Sequence, residues 1–136
     1  MTYDEFVAQF ISRVSARLNG MKTALVSAGI TASRVTVEEV DSNDLRYKIT
    51  ATRGSRTLIC YIELTDNLHL GGTIPGQAII TVWLEGNGVQ ITGAYSAGVP
   101  QPYTEEAGID VLMGKLTQVE IAFPELVAKA RTFLGV

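Results

Sequence analysis

The chain is poor in the two side chains that most often supply nucleophiles, bases and metal ligands at neutral pH. It contains one cysteine, Cys60, and one histidine, His69. An internal disulfide and a zinc site built from thiolate and imidazole ligands are therefore excluded within one copy, and no oxidising compartment is implied. Cys60 falls in an apolar, strand-forming stretch, where a thiol is expected to act as a small buried hydrophobe.

Charged side chains are scarce and unevenly placed. They make up 18% of the 136 residues, below the roughly 25% of an average domain. Lys and Arg are absent from Thr57 through Gly114, and the only charged residue between Asn67 and Thr104 is Glu85. We therefore expect an uncharged surface in this region that meets a partner or a second copy. The alternative is that the region is buried within the same subunit. The net charge of −3 has the wrong sign for nucleic acid, and no nucleic-acid binding is expected.

Long apolar runs are also missing. No stretch of about 18 apolar residues is present, so no transmembrane helix and no membrane partner are predicted. The first residues include Asp4 and Glu5, where a secretory or transit peptide carries basic side chains. The expected location is the cytoplasm or the interior of a virus particle. No repeat or linker divides the chain, which predicts one domain over residues 1–136.

Two segments have helical spacing. Apolar residues recur at three- and four-residue steps from Tyr3 to Ala28, which predicts an N-terminal helix ended by Gly29. Thr2 and Glu5 fit a capping box at its start, and Asn19-Gly20 leaves open whether it is one helix or two. After residue 103 we expect two more helices, the last with Pro124 in its first turn.

Between these helices the hydrophobic period changes to two. Five alternating runs rich in Val, Ile and Thr predict antiparallel strands joined by short turns: Arg34–Asp41, Leu45–Arg53, Arg56–Thr65, Ala78–Glu85 and Val89–Tyr95. The expected fold is α+β, a five-stranded antiparallel meander with the N-terminal helix and two C-terminal helices packed mainly on one face. The connection from Asp66 to Gln77 is predicted to be an irregular loop.

The alternation assigns opposite faces to neighbouring residues. One face is almost wholly apolar from Val35 to Ile91 and is predicted to pack against the helices. The other face is mostly polar, but it also carries a set of large apolar and aromatic side chains, which we call the outer patch: Ile59, Tyr61, Ile79 and Trp83. Such a patch is typical of an interface. The alternative is that a C-terminal helix covers this face and the patch is core.

Two motif fragments resemble ligand sites but are incomplete. Gly71 and Gly76 have the offset of a phosphate-binding loop, yet Gln77 and Ala78 stand where it requires Lys and Ser or Thr. The acidic run 41–44 begins like a calcium loop, but the following residues break the pattern, and it is expected to be a hairpin turn. We therefore predict no cofactor, no metal site and no catalytic residue.

The order of elements resembles that of small acidic secretion chaperones of the type III class. In that fold a helix, three strands, a connection, a hairpin and a final helix form a dimer. The resemblance covers most of the chain and rests on topology and size. It implies a middle helix between Asp66 and Gln77, and a dimer that binds a protein partner.

The leading functional hypothesis is a non-enzymatic protein-binding or assembly module, a homodimer that holds a protein partner on the outer patch. A second hypothesis is a small-molecule-binding protein or enzyme with an apolar pocket between sheet and helices near His69. Its candidate polar residues are Asp66, His69, Tyr47 and Tyr95. A third is a structural protein of a virus or large complex, which would associate to higher order.

Overall fold

The structure, a computed structural model, describes residues 2–32, 36–41, 44–66, 78–92, 95–98 and 105–136. Over these residues the elements are α1 (Tyr3–Ser27), β1 (Thr31–Ala32), β2 (Thr36–Asp41), β3 (Asp44–Arg53), β4 (Arg56–Asp66), β5 (Ala78–Gly86), β6 (Val89–Gln90), β7 (Tyr95–Gly98) and α2 (Glu105–Leu134). His69, most of the loop predicted from Asp66 to Gln77 and the middle helix that the resemblance implies there lie outside the described residues.

The first helix has the start and the end that its sequence predicts. The Thr2 hydroxyl accepts a hydrogen bond from the Glu5 amide at 3.2 Å. Gly29 has a φ of 85°, and the Ile30 amide donates to the Leu25 carbonyl at 2.9 Å, which closes the helix with a left-handed glycine. Gly20 does not break the helix, because it faces solvent and its neighbours continue the apolar stripe.

The sheet is a fully antiparallel meander with five positions, as predicted. The two outer positions are each filled by two short strands. β1 and β2 both pair with β3, and β6 and β7 both pair with β5, around the continuous core β3-β4-β5. Thr31 pairs with Thr52 and Thr36 with Lys48, so one edge is shared along the length of β3. The α+β fold class is confirmed.

The inner face of the sheet forms one hydrophobic core with both helices. Its side chains on the three central strands are at most 5% exposed: Tyr47, Ile49, Ala51, Leu58, Cys60, Ile62, Leu64, Ile80, Val82 and Leu84. Phe10 of α1 lies edge-on to Tyr47, with ring centroids 6.2 Å apart and planes at 71°. Period-two patterning therefore assigned the inner face of these strands correctly.

The predicted alternation is wrong after the Asn87-Gly88 turn. Val89 and Ile91, expected inside, are 67% and 39% exposed, whereas Thr92, expected outside, is buried. The Ile91 amide donates to the Leu84 carbonyl, and the Leu84 amide donates to the Thr92 hydroxyl at 3.0 Å. A side-chain oxygen thus replaces one backbone acceptor of the ladder beside this turn.

The C-terminal segment is one helix instead of the two predicted. α2 spans 30 residues and contains Pro124 in its interior. Proline removes one helical hydrogen bond, but Pro124 is exposed, and carbonyls on the solvent side of a helix can bond water instead. The buried stripe Leu116, Val119, Phe123 and Ala130 keeps its phase across the proline, so packing on the sheet holds the helix together.

Polar contacts fix the two helices to each other. Arg13 of α1 donates to the Glu120 carboxylate of α2 through Nε at 3.0 Å and also through Nη2. Arg17 reaches the second Glu120 oxygen at 3.4 Å. The Arg13 hydrogen bond is the main reason that the pKa of Glu120 lies below its ordinary value. Over the described residues, neither helix is long and apolar enough to cross a membrane.

Candidate binding face of the sheet

The outer patch lies on the sheet face opposite the helices. Tyr61 of β4 is directly opposed to Trp83 of β5, and Ile59 to Glu85. All four members of the patch are half-buried. The alternative, in which a C-terminal helix covers this face, requires a helix on the outer side. Both helices of the described chain pack instead into the core on the inner side.

The aromatic side chains at the centre of the patch are stacked. The rings of Tyr61 and Trp83 have centroids 4.8 Å apart and planes at 19°. The indole Nε1 of Trp83 donates to Glu85 Oε1 at 3.1 Å. Offset stacking combined with a bonded indole N–H satisfies the polar end of the ring while its apolar body stays at the surface.

A guanidinium group completes this arrangement. The Cζ atom of Arg46 lies 5.4 Å from both ring centroids, within the range of cation–π attraction. Because the two distances are equal, Arg46 lies beside both rings and is not the third layer of a stack. Its Nε donates to Glu63 Oε2 at 2.7 Å, so a salt bridge holds the guanidinium in place. We call Arg46, Tyr61 and Trp83 the aromatic cluster.

The register does not make all of the outer patch contiguous. Ile59 is next to Tyr61 on the same face of β4. Ile79 pairs with Thr65, and Thr81 lies between it and Trp83 on the outer face of β5. The four-residue separation along the strand is about 13 Å between Cα atoms. Ile59, Tyr61 and Trp83 are therefore brought together, whereas Ile79 lies at the margin.

Charge is divided across the outer face. Arg46 and Lys48 lie on β3, where they are opposed to Glu63 and Tyr61 of β4. The outer face of β5 carries Glu85, opposite Ile59. The positive side chains thus lie toward one edge of the sheet, and the carboxylate that bonds the indole lies toward the other. The surface around Trp83 is therefore bounded by charged side chains.

The residues proposed for a small-molecule pocket are spread through the sheet. Tyr47 is in the core against Phe10, and burial raises the pKa of its hydroxyl. Tyr95 is in the same cross-strand row, opposite Val82 and three strands away from Tyr47, a Cα separation of about 14 Å. Asp66 is the last residue of β4, opposite Ala78. The backbone register thus separates Tyr47, Asp66 and Tyr95 from one another, and His69 lies outside the described residues.

The thiol and the carboxylates provide no metal or nucleophile site in the described part of the chain. Cys60 is fully buried, and burial raises the pKa of its thiol to about 12. A reactive cysteine needs the opposite shift and exposure. Over the described ranges, no group of three or more His, Cys, Asp or Glu side chains could hold a metal ion.

A surface pocket at the far end of the sheet has a structural explanation. Its volume is about 430 Å³, and it is lined by Arg53, Gly54, Ser55, Arg56, Leu134 and Gly135. Arg53 Nη1 donates to the carbonyls of Leu134 and Gly135 at 2.8 and 2.6 Å. Arg56 Nη1 donates to the Phe133 carbonyl at 2.8 Å. The two guanidinium groups cap the negative end of α2, where cations are favoured.

Sequence reasoning found the aromatic members of the site but missed the charged ones. The outer face that carries Tyr61 and Trp83 also carries Arg46, Glu63 and Glu85. The alternation along the predicted strands already placed Arg46 and Glu63 on this face. The signal that could have identified them was the cross-strand register, which positions Arg46 one row from Tyr61. The register between β3 and β4 follows from the two-residue turn 54–55.

The fold and the site together define a two-layer α+β protein with an aromatic cluster on the sheet face that the helices leave uncovered. No protein-family model, curated protein or solved structure matches the chain.

Proposed function

We propose that the chain is a non-enzymatic protein-binding or assembly module, homodimeric and cytoplasmic, that makes its contacts through the outer sheet face. The observation that carries this proposal is the aromatic cluster. Trp, Tyr and Arg are the three residue types most enriched at the energetic centres of protein interfaces, and here one of each meets at a half-buried surface. A chaperone-like role, in which this face holds another polypeptide, is one form of the proposal.

The stack and its salt bridge also support binding by being ordered in advance. Binding costs less side-chain entropy when the side chains of the docking surface already have fixed rotamers. Arg46 is held by Glu63 at 2.7 Å, and the indole is held by Glu85 at 3.1 Å. Such a surface presents aromatic rings whose neighbouring indole N–H and guanidinium Nε are already bonded, and the apolar area of the rings is costly to leave in water.

Small-molecule binding and catalysis are less well supported. The candidate polar residues do not converge in the described part of the chain, as their register separations show, and the nearest thiol is buried with a raised pKa. The third hypothesis, a structural protein of a virus or large complex, uses the same face and differs only in the number of copies that assemble.

A photo-crosslinking experiment tests the proposal. Benzoylphenylalanine is introduced at Thr50, beside Ile59 on the outer face, or at Ala128, exposed on α2, as the matched control. We expect protein crosslinks from position 50 that Trp83→Ala strongly reduces, and none of comparable yield from position 128. Equal yields from both positions, or crosslinks indifferent to Trp83→Ala, would contradict a binding role for this face.

A further inference from the structure

A pocket lined by two arginines lies at the hairpin end of the sheet, and we call it the arginine pocket. Arg53 and Arg56 are directly opposed across the turn that joins β3 and β4. They have the same strand parity as the core residues Ala51 and Leu58, so they lie on the face that the helices cover. Both line the pocket of about 430 Å³ together with Ser55 and the end of α2. The arginine pocket is therefore separate from the outer face.

We infer that the arginine pocket binds a phosphate group, either as free phosphate or on a small phosphate ester. The two guanidinium groups supply the positive charge and most of the hydrogen bonds, with the Ser55 hydroxyl beside them. The inference goes beyond the proposed function and does not depend on it, because none of the residues that line the pocket belongs to the outer patch or to the aromatic cluster.

The two guanidinium groups converge on one place. A Cβ added to Gly135 would lie 2.9 Å from Nη1 of Arg53 and 3.5 Å from Nη1 of Arg56, so both groups come close to the same point. Like charges directly opposite each other in a sheet are unfavourable. In the part of the chain that the structure describes, neither group forms an ion pair with a carboxylate. The end of a helix supplies only about half an elementary negative charge, so the site stays positive and attracts an anion.

The N–H groups that remain on the two arginines suit an oxyanion. A guanidinium has five N–H groups, and the bonds to the α2 carbonyls use only Nη1 of each side chain. The Nε and Nη2 groups of both arginines have no partner among the described residues. These two nitrogens form one edge of the guanidinium plane, which can donate two parallel hydrogen bonds to an oxyanion. The carbonyl bonds also hold the side chains in place, which lowers the entropy cost of binding.

Charge and size favour phosphate over a carboxylate. A phosphate ester carries a charge of about −1.5 to −2 at neutral pH and three acceptor oxygens, which matches two guanidinium groups better than the single charge of a carboxylate does. The volume of about 430 Å³ is far larger than the roughly 30 Å³ of one water molecule, and it lies within the range of small-ligand sites. The pocket therefore has room for a phosphate with a small organic group attached.

Titration with phosphate compounds tests the inference. Inorganic phosphate, phenyl phosphate and acetate are each added at constant ionic strength, and the arginine Nε–H signals are followed by NMR. We expect saturable shifts of the Arg53 and Arg56 signals with both phosphates, and binding of acetate that is at least about tenfold weaker. Arg56→Gln should weaken phosphate binding about tenfold, the effect of losing one charge-assisted hydrogen-bonding group. Arg131→Gln removes an exposed arginine from the last turn of α2, outside the pocket, and should weaken it less than about twofold.

A second variant separates binding from folding, because Arg56 also bonds the Phe133 carbonyl. Arg56→Lys keeps the charge and a donor but loses the planar fork, so it should unfold at the same urea concentration as the wild type and bind phosphate about tenfold more weakly. Tighter binding of phenyl phosphate than of phosphate would support an ester as the ligand, and equal binding would support recognition of the phosphate group alone. Shifts that do not saturate, equal binding of acetate, or equal losses in Arg56→Lys and Arg131→Gln would overturn the inference. None of these results bears on the outer face.

Discussion

Trp83 and Tyr61 are a directly opposed cross-strand pair whose rings stack at 4.8 Å on the face opposite both helices. Arg46, beside both rings, is tied to Glu63 and not to the core. The pair is therefore ordered without being part of the hydrophobic interior. Because the pair is ordered but lies outside the core, its substitution should affect binding more than the free energy of unfolding. Both effects can be measured.

Neighbouring residues on β5 are expected to differ sharply in their effect on stability. Leu84 is fully buried, so Leu84→Ala should lower the free energy of unfolding by about 2–5 kcal/mol. Trp83→Ala removes a surface cross-strand pair and should lower it by about 0.5–1.5 kcal/mol. Urea unfolding at a concentration where the protein is monomeric measures both. An equal loss from the two substitutions would mean that Trp83 belongs to the core.

Two glycines are expected to respond in opposite directions to alanine. A Cβ at Gly86 would lie 2.5 Å from Cε2 and 2.7 Å from Cζ of Phe133, so Gly86→Ala forces the ring to move and should destabilise by about 1–3 kcal/mol. Gly20 is in α1 with nothing within 4 Å of an added Cβ, so Gly20→Ala should stabilise by about 0.5–1 kcal/mol. Thermal unfolding measures both signs. A neutral Gly86→Ala would contradict the close packing of α2 on β5.

The contact between the two helices is expected to depend on pH. The pKa of Glu120 is lowered in the folded state, chiefly by the Arg13 hydrogen bond. The stability it contributes is therefore present above the unfolded-state pKa of about 4.3 and is lost as pH falls through the folded-state pKa. Glu120→Gln should cost about 1–2 kcal/mol at pH 7, and its difference from the wild type should shrink in acid.

A double-mutant cycle provides the control for the helix contact. In an Arg13→Gln background, Glu120→Gln should cost less than it does in the wild type, because the main partner of the carboxylate has been removed. Chemical denaturation at a series of pH values measures the four proteins. A difference between wild type and Glu120→Gln that is constant with pH would contradict the assigned cause of the shift.

The buried Thr92 hydroxyl is expected to protect one backbone amide. It accepts from the Leu84 N–H at 3.0 Å in the interior, so Thr92→Val leaves that N–H without its partner and should cost about 1–3 kcal/mol. Thr92→Ser keeps the hydroxyl. Hydrogen exchange at the Leu84 amide should be slow in the wild type and in the serine variant, and faster in the valine variant. Unchanged exchange in the valine variant would show that the amide has another acceptor.

The central sheet could be predicted because each residue there has one of two environments. Ile62 and Leu84 lie inside and Tyr61 and Trp83 outside, as period-two alternation requires. The prediction is wrong at Val89 and Ile91, which are exposed, and next to them the Thr92 hydroxyl takes the place of a backbone acceptor in the ladder. Alternation carries no information about such an exchange. Pro124 was a misleading helix-start signal, since the buried stripe that continues through it outweighs the local loss of one hydrogen bond.

The site was only partly predictable for a related reason. Strand parity places Arg46 and Tyr61 on one face, but only the register places the guanidinium beside both rings. The alternation itself does show that Thr81 lies between Ile79 and Trp83 on this face, so the separation of Ile79 from the other patch residues could have been predicted. The middle helix implied by the secretion-chaperone resemblance lies outside the described residues, and that resemblance stays a prediction.

Trp83 is the only tryptophan in the chain, so its fluorescence reports directly on the outer sheet face, which we propose as the binding face. The most direct measurement is acrylamide quenching of Trp83 over a dilution series, followed in parallel by light scattering. Quenching is expected to become easier as the dimer dissociates, because dissociation returns the outer face to water. Quenching that is independent of concentration while the protein dissociates would contradict burial of the outer face between two copies.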